Sequence, residues 1–248
     1  MSILNVNDII ASYNKFQEDM LVIDYANHRT SVNGNVKYFD IKLKKEDNSL
    51  SPLRIKFFNQ EVCNRIKGPS ERTYGQIKIC IKNKSAFTDV MRLICESFNK
   101  LIIKDTCDKT LEINGISVPC IKPNTPMQIS TNTETGNIQF KEPLFWIVPS
   151  CKRTTDSEFK EFDFRLFSLD YLDEETNSPQ EIMLSGKPVN DNNIHKVLSK
   201  GSVISGIISM QVIASKLSFS LNTKINEKLY VKQPINDFDK EDLSIMLS

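Results

Sequence analysis

The chain has 248 residues, 40% of them hydrophobic and 25% charged, with a formal net charge of +1. That length can bury a sizeable core, and no apolar run reaches the roughly eighteen residues of a membrane-spanning helix. The first ten residues, MSILNVNDII, lack the basic and apolar regions of a signal peptide, so an intracellular, reducing compartment is expected.

The near-neutral total hides an asymmetry. Lys37–Lys84 holds twelve basic and five acidic residues, whereas Glu142–Glu181 holds ten acidic and four basic. A basic first half and an acidic second half hint at an anionic partner such as nucleic acid.

In chain order, Asn5–Asp19 predicts a helix, with Ile9, Ile10, Tyr13 and Phe16 at helical spacing behind Asn7 and Asp8. Leu21–Tyr25 predicts a strand, and Asn33-Gly34 a turn. Three strand patterns then follow: YFDIKLK over Tyr38–Lys44, LRIKFF over Leu53–Phe58 and GQIKICIK over Gly75–Lys82. Strand side chains alternate between faces. One face collects Phe39, Ile41, Leu43, Leu53, Ile55, Phe57, Ile77, Ile79 and Ile81. The other collects Tyr38, Lys42, Lys44, Arg54, Lys56, Phe58, Lys78 and Lys82, with Asp40 as its one acid. Lysines neutralise phosphates and rings stack on bases, so this face suits single-stranded nucleic acid. A solvated face of a lysine-rich sheet is the plain alternative.

The loop Glu61–Tyr74 carries Arg65, Lys67, Gly68, Pro69 and Arg72 and reads as a mobile cationic loop ending in Tyr74. Behind the candidate cap Ser85, the apolar stripe Phe87, Val90, Met91, Ile94, Phe98, Leu101 and Ile102 predicts an amphipathic helix packed on the core. Leu111–Ile113 and Ile116–Val118 around Asn114-Gly115 predict a hairpin, and Asn137–Phe140 and Leu144–Val148 two strands. Trp146 lies in the apolar run LFWIV, either in the core or as a stacking platform beside Lys152 and Arg153. Later strands are expected at Phe162–Leu166, at Ile204–Ile213 broken by Gly206, at Leu217–Leu221, and at Lys228–Lys232 ending the sheet, with a short helix in Asn190–Ser199. Three strands, a helix and further strands is the order of an OB-fold. The expected class is mainly β with helices (α+β), an elaborated OB-like Greek-key β-barrel spanning residues 1–236. Residues 237–248 form an acidic-hydrophobic tail.

No GxSxG, Walker, HExxH or GxGxxG pattern is present, so no enzyme, cofactor or metal is expected. The six cysteines, at 63, 80, 95, 107, 120 and 151, form no CxxC pair and are expected as free thiols. His195 is expected in a packed or turn role. Asp156, Glu158, Glu161 and Asp163 leave a carboxylate metal nuclease as one alternative, and a β-sandwich structural or protein-interaction protein as another.

Asn193-Ile194-His195-Lys196, Gly206-Ile207-Ile208 and Leu217-Ser218-Phe219 resemble the C-terminal part of the OB-fold single-stranded-DNA-binding proteins of African swine fever virus and related nucleocytoplasmic large DNA viruses. An N-terminal helix, an early strand region with Phe57, Phe58 and Asn59, an amphipathic helix and late strands follow the same order. The resemblance implies sequence-independent coating of single-stranded DNA during viral DNA replication, recombination or repair in the host cytoplasm. It assigns no DNA contact to Asn193 or His195. The expected nucleic-acid-binding residues, for DNA or RNA, are Tyr38, Lys42, Lys44, Arg54, Lys56, Phe58, Arg65, Lys67, Arg72, Tyr74, Lys78, Lys82, Trp146, Lys152 and Arg153. The tail is expected to recruit replication proteins or to compete with DNA for the basic groove.

Overall fold

A computed structural model describes residues 4–5, 20–31, 34–45, 47–72, 77–81, 86–106, 111–113, 116–118, 126–131, 138–149, 151, 160–215 and 219–234. In chain order its strands are β1 (Leu4–Asn5), β2 (Leu21–Thr30), β3 (Val36–Lys44), β4 (Leu50–Pro52), β5 (Arg54–Glu61), β6 (Ile79–Ile81), β7 (Leu111–Ile113), β8 (Ile116–Val118), β9 (Met127–Thr131), β10 (Ile138–Ile147), β11 (Arg165–Leu172), β12 (Pro179–Glu181), β13 (Met183–Leu184), β14 (Lys187–Pro188), β15 (Val203–Ser215) and β16 (Phe219–Lys232). The helices are α1 (Ala86–Thr106) and α2 (Ile194–Val197). The fold is mainly β with one long helix. Its sheets are open, so the closed Greek-key barrel expected from strand order is not found among the described residues. No described helix is long and apolar enough to cross a membrane.

The chain divides into two compact units. The first comprises residues 1–56, 83–145 and 209–223, and the second 57–82, 146–208 and 224–248.

In the first unit β3 pairs antiparallel with β2, β4 and the end of β15, where Val212 faces Phe39 and Ala214 faces Lys37. The turn between β2 and β3 closes at Gly34, whose φ of 73° is a left-handed conformation that glycine adopts without steric cost. Strand β2 runs to Thr30, further than its apolar pattern suggests, because its register shifts between Ile23 and His28. Past that shift His28 packs its ring 5.8 Å from Phe39. Of its predicted stripe, helix α1 buries Phe87, Val90, Met91, Ile94, Phe98 and Ile102 and leaves Leu101 half-buried, and Phe87 meets Phe145 edge-to-face at 5.5 Å. Leu111–Ile113 and Ile116–Val118 form the expected hairpin. The two strands expected near Trp146 are one, β10. Its register against β9 shifts between Phe140 and Phe145, around Pro143, which has no N–H to give a ladder.

In the second unit β11 lies parallel to β16, pairing Arg165 with Lys228 and Phe167 with Tyr230, and antiparallel to β12. Lys228–Lys232 therefore does not end the sheet, because β16 has β11 beyond it. Gly206 does not break β15. A Cβ there would sit 3.2 Å from the Lys228 carbonyl and 3.4 Å from the Phe57 ring, so glycine permits a close backbone approach.

The N-terminal helix apart from Asn5, the Ser85 cap and the C-terminal tail lie outside the described residues. Asn5 itself is in strand β1.

Candidate nucleic-acid interface

The two-faced strand pattern holds. All nine residues of the apolar face are buried, from Phe39 to Ile81, while the described residues of the polar face are half-buried or exposed. Strand β6 belongs to a three-stranded sheet with β9 and β10, apart from the sheet of β3 and β5.

In the first unit Tyr38 lies between its cross-strand partners Arg29 on β2 and Ile213 on β15. Arg29 stands 3.7 Å from Asp40, both well exposed. Lys42 is committed elsewhere: its Nζ lies 2.5 Å from Asp24 Oδ2. That bond and the Asn27 amide hold the Asp24 carboxyl below its usual range. Lys44, Arg54 and Lys56 are half-buried on β3 and β5. Neither Lys44 nor Arg54 forms an ion pair among the described residues, which leaves both cations available to an anion.

In the second unit Phe57 is fully buried, whereas Phe58 is 55% exposed. The strand then turns through Asn59, a left-handed residue with φ 50°, whose N–H donates to Ser205 Oγ at 2.9 Å. Asparagine tolerates this conformation better than most residues. Lys78 is exposed, and its ammonium stands 5.6 Å from the centre of the Trp146 ring. Trp146 is half-buried between buried Phe145 and Ile147.

The cationic loop is pinned by its own side chains. Asn64 Oδ1 accepts from the Cys80 N–H at 2.7 Å, and Asn64 Nδ2 donates to the Lys78 carbonyl at 2.9 Å. Arg65 donates to both Glu71 carboxylate oxygens, at 3.0 and 3.2 Å. Glu71 also accepts from the Gly68 N–H at 3.0 Å, the leading cause of its lowered pKa. Arg72 donates to the Lys67 and Asp191 carbonyls. Arg65 and Arg72 thus build the loop, and exposed Lys67 is left to face an anion. The Asn190–His195 segment supports it. Asn190 and Asn193 tie its backbone, and a Cβ at Gly68 would meet His195 Nε2 at 3.6 Å.

Tyr74, Lys82, Lys152 and Arg153 lie outside the described residues, as do Asp156 and Glu158. Asp163 is ion-paired with Lys224 at 2.8 Å. Among the described residues no group of acids, cysteines and histidines could hold a metal.

Sequence reasoning missed a second cationic-aromatic group in this unit. Phe167 and Tyr230 pack with ring centres 5.7 Å apart, and the Lys228 ammonium stands 4.9 Å from the centre of the Phe167 ring. The available signal was the alternation Arg165-x-Phe167 and Lys228-x-Tyr230-x-Lys232. The parallel register that joins them spans more than sixty residues of chain. No protein-family model matches the chain, and no curated protein matches it.

Proposed function

We propose that the chain binds single-stranded nucleic acid without sequence selection, as a non-enzymatic coating protein. One observation carries the reading: Lys78 presents its charge over the face of Trp146. A cation beside an accessible ring is the pairing that tracks a phosphate backbone while stacking a base. Exposed Phe58, half-buried Tyr38, and the cations Lys44, Arg54 and Lys67 support it. The OB-like relationship, a role in viral DNA replication, recombination or repair, and placement in a reducing host cytoplasm are parts of the proposal that rest on the resemblance. An open sheet serves as a binding platform without barrel closure. The tail, residues 237–248, is proposed as the segment that meets replication proteins.

The deciding experiment is a titration of labelled oligo(dT) and of duplex of equal length at two salt concentrations. Tighter, salt-dependent binding of the single strand is expected, and equal affinity for both would overturn the proposal. The hairpin β11–β12 favours a second reading, docking to a protein. Leu169 and Leu172 are exposed there beside Asp173, Glu174 and Glu175. On that reading no salt-dependent affinity for nucleic acid is measured.

A further inference from the structure

Two cysteines meet at the neck of the cationic loop. Val62 and Ile81 form an antiparallel bridge, and one step further the Cys63 N–H donates to the Cys80 carbonyl at 2.8 Å. Residues directly opposite in an antiparallel pair point to the same side, with Cα atoms about 5.5 Å apart where they are hydrogen-bonded. A disulfide needs roughly 4.4–6.8 Å. The ladder ends at this pair, because the Cys80 N–H turns away to Asn64 Oδ1. Cys63 is part-exposed and Cys80 is buried, and both are free thiols.

We propose that Cys63 and Cys80 are an oxidant-sensitive pair that closes a disulfide across the neck of residues 64–79. The roles differ by exposure. A peroxide can reach Cys63, whose thiolate attacks one peroxide oxygen. The O–O bond breaks, hydroxide leaves, and Cys63 becomes a sulfenic acid. The Cys80 sulfur then attacks the Cys63 sulfur and the S–S bond forms. The sulfenic hydroxyl leaves with the Cys80 proton as water. Two thiols and one hydrogen peroxide give one disulfide and two waters. Burial raises the Cys80 pKa and disfavours its thiolate, which suits the second role rather than the first. Cys95 is buried in α1, and Cys151, pushed up to about 11 by burial and by Asp191, lies opposite Phe162. The bond would close a ring on the segment that carries Arg65, Lys67, Arg72 and Lys78, holding the loop to β6.

The test uses the full chain treated with hydrogen peroxide under native conditions, then alkylated, digested and read by mass spectrometry without reduction. A peptide joining Cys63 to Cys80 is expected, absent after Cys63→Ser or Cys80→Ser. Cys80→Ser should instead let Cys63 proceed to sulfinic acid. Hydrogen exchange of amides 64–79 should slow severalfold in the oxidised chain. Sulfinic acid at Cys63 in the parent chain with Cys80 still reduced overturns the pairing, and a link with unchanged exchange overturns the staple. Neither readout involves nucleic acid, so the inference fails or stands apart from the function proposed above.

Discussion

Lys42 and Asp24 form an ion pair on the polar face of β3, 2.5 Å between Nζ and Oδ2, with the Asp24 side chain only 10% exposed. The carboxylate sits where the β2 register shifts, between Ile23 and His28. A lysine held this way must give up a partly buried partner before it can neutralise a phosphate. On the proposed function, the phosphate contacts on this face are assigned to Lys44 and Arg54.

Asp24→Asn should lower stability at neutral pH by about 1.5–3 kcal/mol, the range for a hydrogen bond to a charged group. The folded pKa of Asp24 lies below its ordinary 3.8, through the Lys42 bond first and Asn27 second. Its contribution is thus fully present above the unfolded value and is lost as pH falls through the folded one. Urea unfolding should show a larger difference between parent and variant at pH 7 than at pH 2. Equal destabilisation at both would mean that the charge is not the cause.

Adjacent phenylalanines should separate folding from binding. Phe57→Ala empties a fully buried site and should cost about 3–5 kcal/mol of stability. Phe58→Ala, at a residue 55% exposed, should leave the melting temperature nearly unchanged. It should weaken oligo(dT) binding by about 1–3 kcal/mol, the worth of one stacked base. Unchanged affinity after Phe58→Ala removes that ring from the interface.

What could be read in the sequence was local. Period-two alternation placed nine apolar residues of β3, β5, β6 and the residues just before them in the core, because one face must be dry. The stripe of α1 was legible for the same reason, and the pairing of Leu111–Ile113 with Ile116–Val118 from the turn signal between them. Long-range pairing was not. Three strands, a helix and more strands fit an OB barrel, yet closure depends on which strands pair, and β6 ladders with β10. Asp24 and Lys42 meet through a register shift that no spacing announces. Cys63 and Cys80 meet because Val62 bridges Ile81. The cationic loop looked mobile because Gly68-Pro69 is a turn signal. Over residues 64–72, Arg65, Glu71, Arg72 and Asn64 make hydrogen bonds that composition does not reveal.

Lys67 and Arg72 in that loop should behave oppositely. Lys67 is exposed, so Lys67→Ala should reduce the slope of log K against log[salt] by about 0.7, one phosphate contact on a single strand, without altering thermal stability. Arg72 donates to the carbonyls of Lys67 and Asp191. Arg72→Ala should lower the melting temperature and speed hydrogen exchange in residues 64–72. A variant of Arg72 with parental stability and a flatter salt slope would make it a phosphate contact instead.

Trp146 is the only tryptophan in the chain, so its fluorescence reports on one place. The ring is half-buried, and the Lys78 ammonium stands 5.6 Å from its centre. A base stacked on that ring would quench its emission, and the phosphate of the same nucleotide would lie within reach of Lys78. Titration with oligo(dT) is therefore expected to quench in step with binding measured by anisotropy. Duplex of equal length, whose bases are already stacked on each other, should leave the emission unchanged. Lys78→Ala should lose the cation–π contact, about 0.5–1 kcal/mol at an exposed site, and one phosphate contact. Its salt slope should then be shallower by about 0.7, while quenching at saturation persists because the ring remains. Binding without quenching in the parent chain would put Trp146 outside the interface. The stacking would then fall to Phe58 in this unit, or to the Phe167 and Tyr230 pair.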